Sequence, residues 1–393
     1  MSLPDLRDVR RARVFKAGVP VAWLSRVSGG VEFRYDDPQS GPAVATSLPL
    51  GAPPVVTAAG ALPPFFTGLL PEGRRLAALQ RELKASSDDE LSLLMAVGAD
   101  VVGDVSVVPE GVEVPAPEPA VRWSATATID FSELRDRVVD RRGLPGVQDK
   151  VSAAMITLPA KALTREAILK LTPPEYPHLV DNEAYFLGLA RAAGLRVPRH
   201  RVIVDRHGER GLLIERFDRV GDAGRIAMED GAQVLARYPA DKYATSTEEV
   251  GLALIGQCSA RAAAAREILR MVTFAWLTGN GDLHAKNLAI VAAGPEWRIA
   301  PAYDVPSSLP YGDTTMALPI GGRRDDISRK ALLGLADDLG VSAPAATRAL
   351  DEMVKATEPV MAMWERGEAE FTHPRRADVL RHLRRRRRLV ESG

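Results

Sequence analysis

The chain has 393 residues, 46% hydrophobic and 26% charged, so it can bury a sizeable core and global disorder is excluded. Its 51 basic and 51 acidic residues cancel, which argues against a positively charged coat for non-specific binding of nucleic acid. A single cysteine, Cys258, excludes a disulfide framework and a four-cysteine zinc site. The first residues show no apolar signal core, and no apolar run could cross a membrane. We therefore expect a soluble, cytoplasmic protein of two or three units.

The first predicted unit covers residues 1–110 and is rich in β-strands. Residues 11–50 alternate apolar and polar positions between turn signals, which predicts β-hairpins with one buried face. After residue 64 the apolar period changes and predicts two helices. The predicted elements that follow are a helix around 74–79, a helix at 88–97 and a closing strand at 104–108.

A proline-rich stretch at 111–120 cannot continue a helix or an inner strand, and we interpret it as a linker. The pattern after it predicts a β/α lobe over 121–245 and a mainly helical lobe over 246–393. In the β/α lobe, Asp181 is placed to cap a helix that Gly194 ends. The predicted elements of this lobe are helices at 130–141 and 182–193, and strands at 151–156, 167–171, 201–204 and 212–216.

The polar loop at 279–287 follows an apolar helix and precedes an apolar strand, a common position for catalytic residues. It holds Asp282 and, five positions later, Asn287. In protein kinases an aspartate orients the attacking hydroxyl and accepts its proton, and an asparagine at this spacing ligates Mg²⁺. A turn rich in Gly, Asn and Asp that only bonds its own backbone is the alternative.

Three further features fit phosphoryl transfer. Asp304 follows a short strand, as a second Mg²⁺ ligand would. Lys170 lies in an apolar strand whose poor alternation predicts that both faces are covered, and a buried lysine needs an anion. Glu183, early in the next helix, is its predicted partner. The glycine-containing loop at 143–150 could cradle phosphates, although its spacing matches neither a Walker A loop nor a kinase glycine-rich signature.

The ordered combination of these segments resembles the HipA family of serine/threonine kinases, the toxins of bacterial toxin–antitoxin pairs. FFTGLLPEG at 65–73 and VVGDVSVVP at 101–109 resemble the family's N-terminal unit, and PGVQDK at 145–150 resembles its nucleotide loop. ILKL, IERFDR, GDLHAKN and AYDV then follow in the family's order. The resemblance implies an α/β (α+β), protein-kinase-like two-lobe fold of the HipA and lipid-kinase type. Its N-terminal subdomain would be β-rich and its C-terminal lobe mainly helical.

By that resemblance, Asp282 is the catalytic base, and Asn287 and Asp304 are Mg²⁺ ligands. A family serine ahead of the nucleotide loop, which is autophosphorylated and then expels the loop, is replaced here by Gly143, so that route of self-inactivation is not carried over. The resemblance also implies an ATP site lined by Gly146, Val147, Gln148, Asp149, Lys150, Lys170, Glu215, Arg216, Phe217, His284, Ala285, Lys286, Asn287 and Tyr303.

The implied function is that of an ATP- and Mg²⁺-dependent serine/threonine-protein kinase acting on a cytosolic protein, in the family an aminoacyl-tRNA synthetase, to arrest growth. A HipB-like helix-turn-helix antitoxin would neutralise it, and operator DNA would be met only through that complex. No membrane partner is expected. Two alternatives stay open: a small-molecule kinase of the same fold, and a non-catalytic nucleotide-binding co-repressor. The arginine-rich tail at 375–388 is either a DNA-contacting patch or a solvated helix end.

Overall fold

An antiparallel five-stranded sheet forms the first part of the computed structural model, which describes residues 5–115, 121–123, 129–134, 155–162, 165–221 and 224–391. Its strands are β1 (Arg11–Lys16), β2 (Val19–Val27), β3 (Gly30–Tyr35), β4 (Val55–Ala58) and β5 (Val105–Pro109). They are neighbours in the order β4-β3-β2-β1-β5. Val31 and Phe33 are buried while Arg34 between Phe33 and Tyr35 faces solvent, which confirms the predicted hairpins over β1 to β3.

Residues 36–54 depart from the prediction, which extended the hairpins to residue 50. Five prolines lie between residues 38 and 54. Each lacks the N–H that a ladder hydrogen bond needs, so the chain runs as a loop until β4, which the sequence analysis missed. Tyr35 holds this loop, because its hydroxyl donates to the Leu48 carbonyl (2.5 Å) and accepts from the Val44 amide (2.7 Å).

Three helices pack with this sheet around one apolar core. They are α1 (Pro64–Thr67), α2 (Gly73–Leu83) and α3 (Glu90–Val97). The two longer helices were predicted. Asp89 is the N-cap of α3, and its side chain accepts a hydrogen bond from the amide of Ser92. Phe66 of α1 lies 5.4 Å from Phe33 of the sheet, measured between ring centroids. We call residues 5–110 the N-terminal unit.

A second five-stranded sheet carries the lysine-bearing strand. Its strands are β6 (Val121–Trp123), β7 (Ile156–Ala162), β8 (Arg165–Leu171), β9 (His200–Val204) and β10 (Arg210–Glu215), in the order β6-β7-β8-β10-β9. Lys170 of β8 lies opposite Thr157 on one side and Leu212 on the other. Leu169 and Leu171 belong to the core on one face, and Lys170 is itself only 8% exposed. The prediction that this strand is covered on both faces is confirmed.

Helix α4 (Leu179–Ala192) follows β8, and its N-cap is not the predicted Asp181. The helix begins before Asp181, with His178 at the N-cap in the left-handed region (φ 62°). Leu179 and Val180 are fully buried, so apolar packing starts the helix earlier than the polar signal suggested. Asp181 instead pairs with Arg210 on the surface (2.5 Å). Gly194, with φ 74°, follows the helix end as predicted.

The remainder of the described chain is mainly helical, as predicted, with two small sheets. The strands are β11 (Arg219–Val220), β12 (Gly224–Arg225), β13 (Met228–Asp230), β14 (Ala289–Ala293) and β15 (Glu296–Ile299). The helices are α5 (Gly231–Val234), α6 (Thr247–Gln257), α7 (Arg261–Thr278), α8 (Arg329–Asp338), α9 (Ala343–Ala356), α10 (Glu358–Arg366) and α11 (His373–Glu391). Among the described helices, none is long and apolar enough to cross a membrane.

The largest apolar core lies in the helical lobe and includes α4. Phe186 and Leu187 of α4 are buried in the same cluster as Trp276 of α7 and Trp364 of α10. The helix that carries Glu183 is therefore anchored to the helical lobe, although it follows β8 of the second sheet in the chain. This placement sets a carboxylate of one lobe directly beneath a strand of the other.

Several arginines of the arginine-rich helix α11 make contacts within the protein. Arg386 is 2% exposed, donates to the Trp276 carbonyl (2.9 Å) and the Thr314 carbonyl (2.8 Å), and lies over the Trp276 ring. Burial lowers the pKa of Arg386 to about 10. Nearby, Arg384 pairs with Glu365 (2.7 Å). Arg386 thus serves packing of the helical lobe and Arg384 pairs at the surface, and these two contacts favour the interpretation without DNA.

We expect Arg386→Met to lower the free energy of unfolding by about 3 kcal/mol, because two buried carbonyls lose their charged donor. Urea unfolding monitored by circular dichroism measures the change. Arg384→Met on the same helix is the matched control and should cost less than about 1 kcal/mol, since its ion pair is exposed. Equal losses in both variants would show that Arg386 contributes no more than a surface arginine.

Candidate active site

The loop at 279–287 is buried between α7 and β14. Gly279 ends α7 with a positive φ of 79°, a conformation that glycine adopts without strain, and its amide caps the helix. The Asn280 side-chain oxygen accepts from the amide of Asp282 (2.9 Å). Asp282 is only 2% exposed. The loop is therefore a turn fixed by its own hydrogen bonds that holds one buried carboxylate.

Asp282 is held from two sides. Asn287 donates from its amide nitrogen to the Asp282 carbonyl (2.8 Å), so the two residues that the spacing singled out are in direct contact. The Tyr243 hydroxyl donates to Oδ1 of Asp282 (3.2 Å). The sequence analysis missed Tyr243, because it precedes Asp282 by 39 positions. The one available signal was its neighbour Lys242, one of only nine lysines in the chain.

Lys170 lies between two carboxylates. Its ammonium donates to both carboxylate oxygens of Glu183 (2.8 and 3.0 Å) and forms an ion pair with Asp304. The pairing with Glu183 confirms the contact that the sequence predicted. Burial alone would lower the pKa of the Lys170 ammonium, but the charges of Asp304 and Glu183 outweigh burial and raise it. Lys170 is thus a permanent buried cation.

Asp304 reaches this cluster through an unusual backbone conformation. Its φ of 50° lies in the left-handed region, which aspartate tolerates better than most residues that carry a side chain. The Asn280 side chain donates to the Asp304 carbonyl (3.2 Å) and so links the strained residue to the Asp282 loop. A strained residue held by its surroundings at a cluster of charges is typical of a functional site.

His284 is another buried polar residue of the loop. It is 6% exposed, and its Nδ1 has no hydrogen-bond partner among the described residues. Burial, together with the charge of Lys242, lowers the pKa of His284 to about 3, so the ring is neutral at physiological pH. An orphaned ring nitrogen of this kind is suited to meeting a polar group of a bound molecule. Ala285, also fully buried, begins the short 3₁₀ turn Ala285–Asn287.

The next two expected site residues are Lys286 of the loop and Tyr303. The Lys286 ammonium pairs with Glu72 (2.5 Å) and donates to the Gly68 carbonyl (3.1 Å), so the side chain is directed to the N-terminal unit. Tyr303 donates to the Lys286 carbonyl (2.7 Å). Lys286, expected by resemblance at the nucleotide, thus also joins the loop to another unit.

The side chains of the segment Glu215–Phe217 chiefly contact other residues of this chain. Glu215 accepts from Arg165 (2.9 Å), and Arg216 pairs with Asp100 (3.0 Å) of the N-terminal unit. The Phe217 ring lies beside the Tyr303 ring, with centroids 5.9 Å apart. The side chain of Arg216 therefore bridges two units, which the sequence did not reveal. The expected nucleotide-loop residues Gly146, Val147, Gln148, Asp149 and Lys150, and Gly143, lie outside the described residues.

The donor set of the site suits a hard cation. Within the described ranges, no group of three or more His, Cys, Asp or Glu side chains could hold a metal ion. Mg²⁺ at phosphoryl-transfer sites needs no such group, because one or two carboxylates act together with phosphates and water. The amide nitrogen of Asn287 is used by the Asp282 carbonyl, so its amide oxygen remains as an acceptor. With Asp304, it provides oxygen ligands of the expected kind.

The fold is protein-kinase-like, as the sequence predicted. It has a β-rich lobe and a helical lobe, together with a lysine–glutamate pair and an aspartate–asparagine loop. Two family models match this chain. The HipA N-terminal domain matches residues 12–108, and the HipA-like C-terminal domain matches residues 143–361. The second match alone covers more than half of the chain. The protein belongs to the HipA family.

Individual relatives agree with this assignment. Two Sinorhizobium fredii proteins named "Putative kinase Y4mE" and "Putative kinase Y4dM" are each 30% identical to the chain. The alignments cover 76% and 88% of this chain, and 78% and 90% of those proteins. The serine/threonine-protein kinase toxin HipA of Shewanella oneidensis is 27% identical over 72% of this chain and 71% of its own length. Kinase activity is therefore assigned at the level of the family.

A solved structure supports the fold independently. The Shewanella oneidensis MR-1 HipA structure, in complex with HipB and its operator DNA, superposes with a TM-score of 0.74. It is 23% identical, and the superposition covers 95% of this chain and 97% of that chain. At this identity the likeness establishes the two-lobe fold, including the N-terminal unit.

The buried His284 predicts a specific pH dependence of stability. Between pH 3 and 6.5 the unfolded chain binds a proton at this residue that the folded chain does not, so the native state gains stability as pH rises through this window. Between pH 7 and pH 5 the loss from this residue should be about 2 kcal/mol. His284→Gln should remove that part of the loss, as measured by urea unfolding at both pH values. The exposed His373→Gln is the control, and an unchanged pH dependence in His284→Gln would contradict the buried neutral ring.

Proposed function

We propose that this protein is an ATP- and Mg²⁺-dependent serine/threonine-protein kinase acting in the cytoplasm. The observation that carries the proposal is the buried Lys170 ammonium, which contacts both Glu183 and Asp304. A lysine–glutamate pair beside a metal-ligating aspartate is the arrangement that kinases require for phosphoryl transfer. Membership of a family with named kinases supports it.

In this proposal Asp282 orients the hydroxyl of the substrate and accepts its proton. Its buried carboxylate is oriented by the Tyr243 hydroxyl, as a general base must be. Lys170 would bind the phosphates of ATP as a point charge. Asn287 and Asp304 would hold Mg²⁺, which neutralises charge that develops on the transferred phosphoryl group.

The nucleotide would lie between the two lobes. The family resemblance assigns its phosphates to the loop Gly146–Lys150 and its adenine side to the Glu215–Phe217 segment. The orphaned Nδ1 of His284 supports a polar ligand next to this loop. Tyr303, beside Phe217, would complete the lining together with the backbone of Lys286.

A protein substrate is favoured over a small molecule. The HipA N-terminal domain matches residues 12–108, and a relative that is a serine/threonine-protein kinase toxin aligns with 72% of the chain. By the resemblance, the substrate would be an aminoacyl-tRNA synthetase whose phosphorylation arrests growth. A small-molecule kinase has no evident need for this additional unit. A co-repressor without activity would not need the buried Lys170 cluster and the Asp282 loop together.

The proposed partner is a HipB-like, DNA-binding antitoxin. The superposed HipA structure contains HipB and operator DNA, and we extend that assembly to this chain as part of the proposal. The contacts of helix α11 agree with indirect binding of DNA. Arg386 is buried and bonded to the Trp276 carbonyl, and Arg384 pairs with Glu365 at the surface, so operator DNA would be met through the antitoxin.

Asp282→Ala should reduce label transfer from γ-phosphate-labelled ATP and Mg²⁺ into a cytosolic extract by at least about 100-fold, because the base is removed. Wild type should label one protein band, which then identifies the substrate. Asp338→Asn, at the exposed end of α8, is the control and should transfer label normally. If wild type bound ATP but labelled no protein, a small-molecule kinase or a nucleotide-binding co-repressor would replace this proposal.

Glu183→Gln should weaken ATP binding or turnover by about tenfold or more, because the Lys170 ammonium loses one of its two counter-charges. Calorimetric titration with a non-hydrolysable ATP analogue measures the affinity, and label transfer measures turnover. Asp181→Asn is the matched control, since it removes an exposed ion pair from the same helix. Unchanged affinity and turnover in Glu183→Gln would exclude the pair from the mechanism.

A further inference from the structure

A single carboxylate of the N-terminal unit contacts two lysines of the kinase lobes. Glu72, at the N-cap of α2, forms ion pairs with Lys242 and with Lys286 (2.5 Å). The two lysines are largely buried, with 11% and 14% of their side chains exposed. Burial would raise the pKa of Glu72, but the two ammonium groups outweigh it and lower the pKa to about 2. Glu72 is therefore ionised throughout the physiological range.

Lys242 leads directly to Asp282. The next residue is Tyr243, whose hydroxyl donates to Oδ1 of Asp282 (3.2 Å). The Lys242 carbonyl also accepts from the amide of Ala285 in the loop (3.3 Å). Fixing Lys242 consequently fixes the tyrosine that orients the carboxylate.

Lys286 belongs to the loop itself. It is followed by Asn287, whose side chain donates to the Asp282 carbonyl (2.8 Å). Its ammonium also donates to the Gly68 carbonyl of the N-terminal unit (3.1 Å). The same carboxylate of Glu72 thus holds both segments that contact Asp282.

Two ammonium groups held by one carboxylate repel each other when that charge is lost. The effective dielectric is low at such a partly buried site, so removing the shared anion would separate the cations or let water in. Asp230, the other buried acid near Lys286, contributes charge but makes its own bonds as the cap of α5. Glu72 therefore adds a charged link between the Lys242 and Lys286 segments, alongside the bond of the Lys242 carbonyl with the Ala285 amide.

We propose that Glu72 is a positioning residue, through which the N-terminal unit fixes Tyr243 and Asn287 against Asp282. The inference rests on the proposed kinase function for its effect on rate, but not for the structural coupling. It gives the N-terminal unit a direct part in the alignment of the catalytic loop. It also predicts that any partner that displaces α2 lowers activity without touching the nucleotide.

The test compares Glu72→Gln with Thr46→Val. Thr46 makes a hydrogen bond of the same interface, from its hydroxyl to the buried Glu229 (2.6 Å), and touches neither lysine. At saturating ATP, Glu72→Gln should lower the label-transfer rate by about 10- to 100-fold. The affinity for a non-hydrolysable ATP analogue should change by less than about threefold. Thr46→Val should leave both unchanged, and a wild-type rate in Glu72→Gln would overturn the inference.

Hydrogen exchange of the peptide spanning residues 280–288 separates this inference from the kinase proposal. Faster exchange in Glu72→Gln than in Thr46→Val supports the coupling even if wild type transfers no label, an outcome that would reject only the kinase. Unchanged exchange overturns the coupling. Should Glu72→Gln not fold, Lys242→Met decides the question, because it keeps the pair of Glu72 with Lys286. Lys242→Met should lower the label-transfer rate and speed hydrogen exchange of the same peptide. Wild-type values of both would reject the inference.

Discussion

The buried contact of Lys170 with Glu183 and Asp304 joins three separate parts of the chain. Lys170 comes from the middle strand of a sheet, Glu183 from a helix anchored in the other lobe, and Asp304 from a left-handed turn. Removing charges from water is costly, and only simultaneous pairing compensates for it. Strand, helix and turn must therefore assemble together. The cluster couples the folding of the lobes to the formation of the candidate site.

Directional polar contacts hold the N-terminal unit to the rest of the protein. Arg216 pairs with Asp100, and Gln233 donates to the Phe65 carbonyl (3.0 Å). Hydrogen bonds have narrow angular ranges, so such contacts set the orientation of the unit more strictly than apolar packing would. The ion pairs of Glu72 belong to this interface and extend it to the loop at 279–287. Orientation of the unit and alignment of the loop are thus parts of one network.

Arginines of helix α11 make contacts that help to pack the protein. A run of arginines in a sequence suggests a basic surface, yet Arg386 lies over the Trp276 ring and donates to two carbonyls. Its guanidinium is planar and presents several donors, so it can satisfy carbonyls that a lysine would reach singly. Arg384, on the exposed side, meets Glu365. A charge run that is local in sequence is thus met partly by carbonyls and an aromatic ring and partly by an acidic residue.

The sequence by itself determined the strand that carries Lys170, its pairing with Glu183 and the single loop that holds Asp282 and Asn287, because periodicity and short spacing specify neighbours within one or two elements. Only the tertiary structure decided that Tyr243 contacts Asp282 and that Glu72 contacts Lys242, pairs separated by 39 and 170 positions. It also decided that α4 begins before Asp181, since burial of Leu179 and Val180 outweighs a capping signal. Contacts between units depend on how their surfaces dock, and no local pattern of residues encodes that docking.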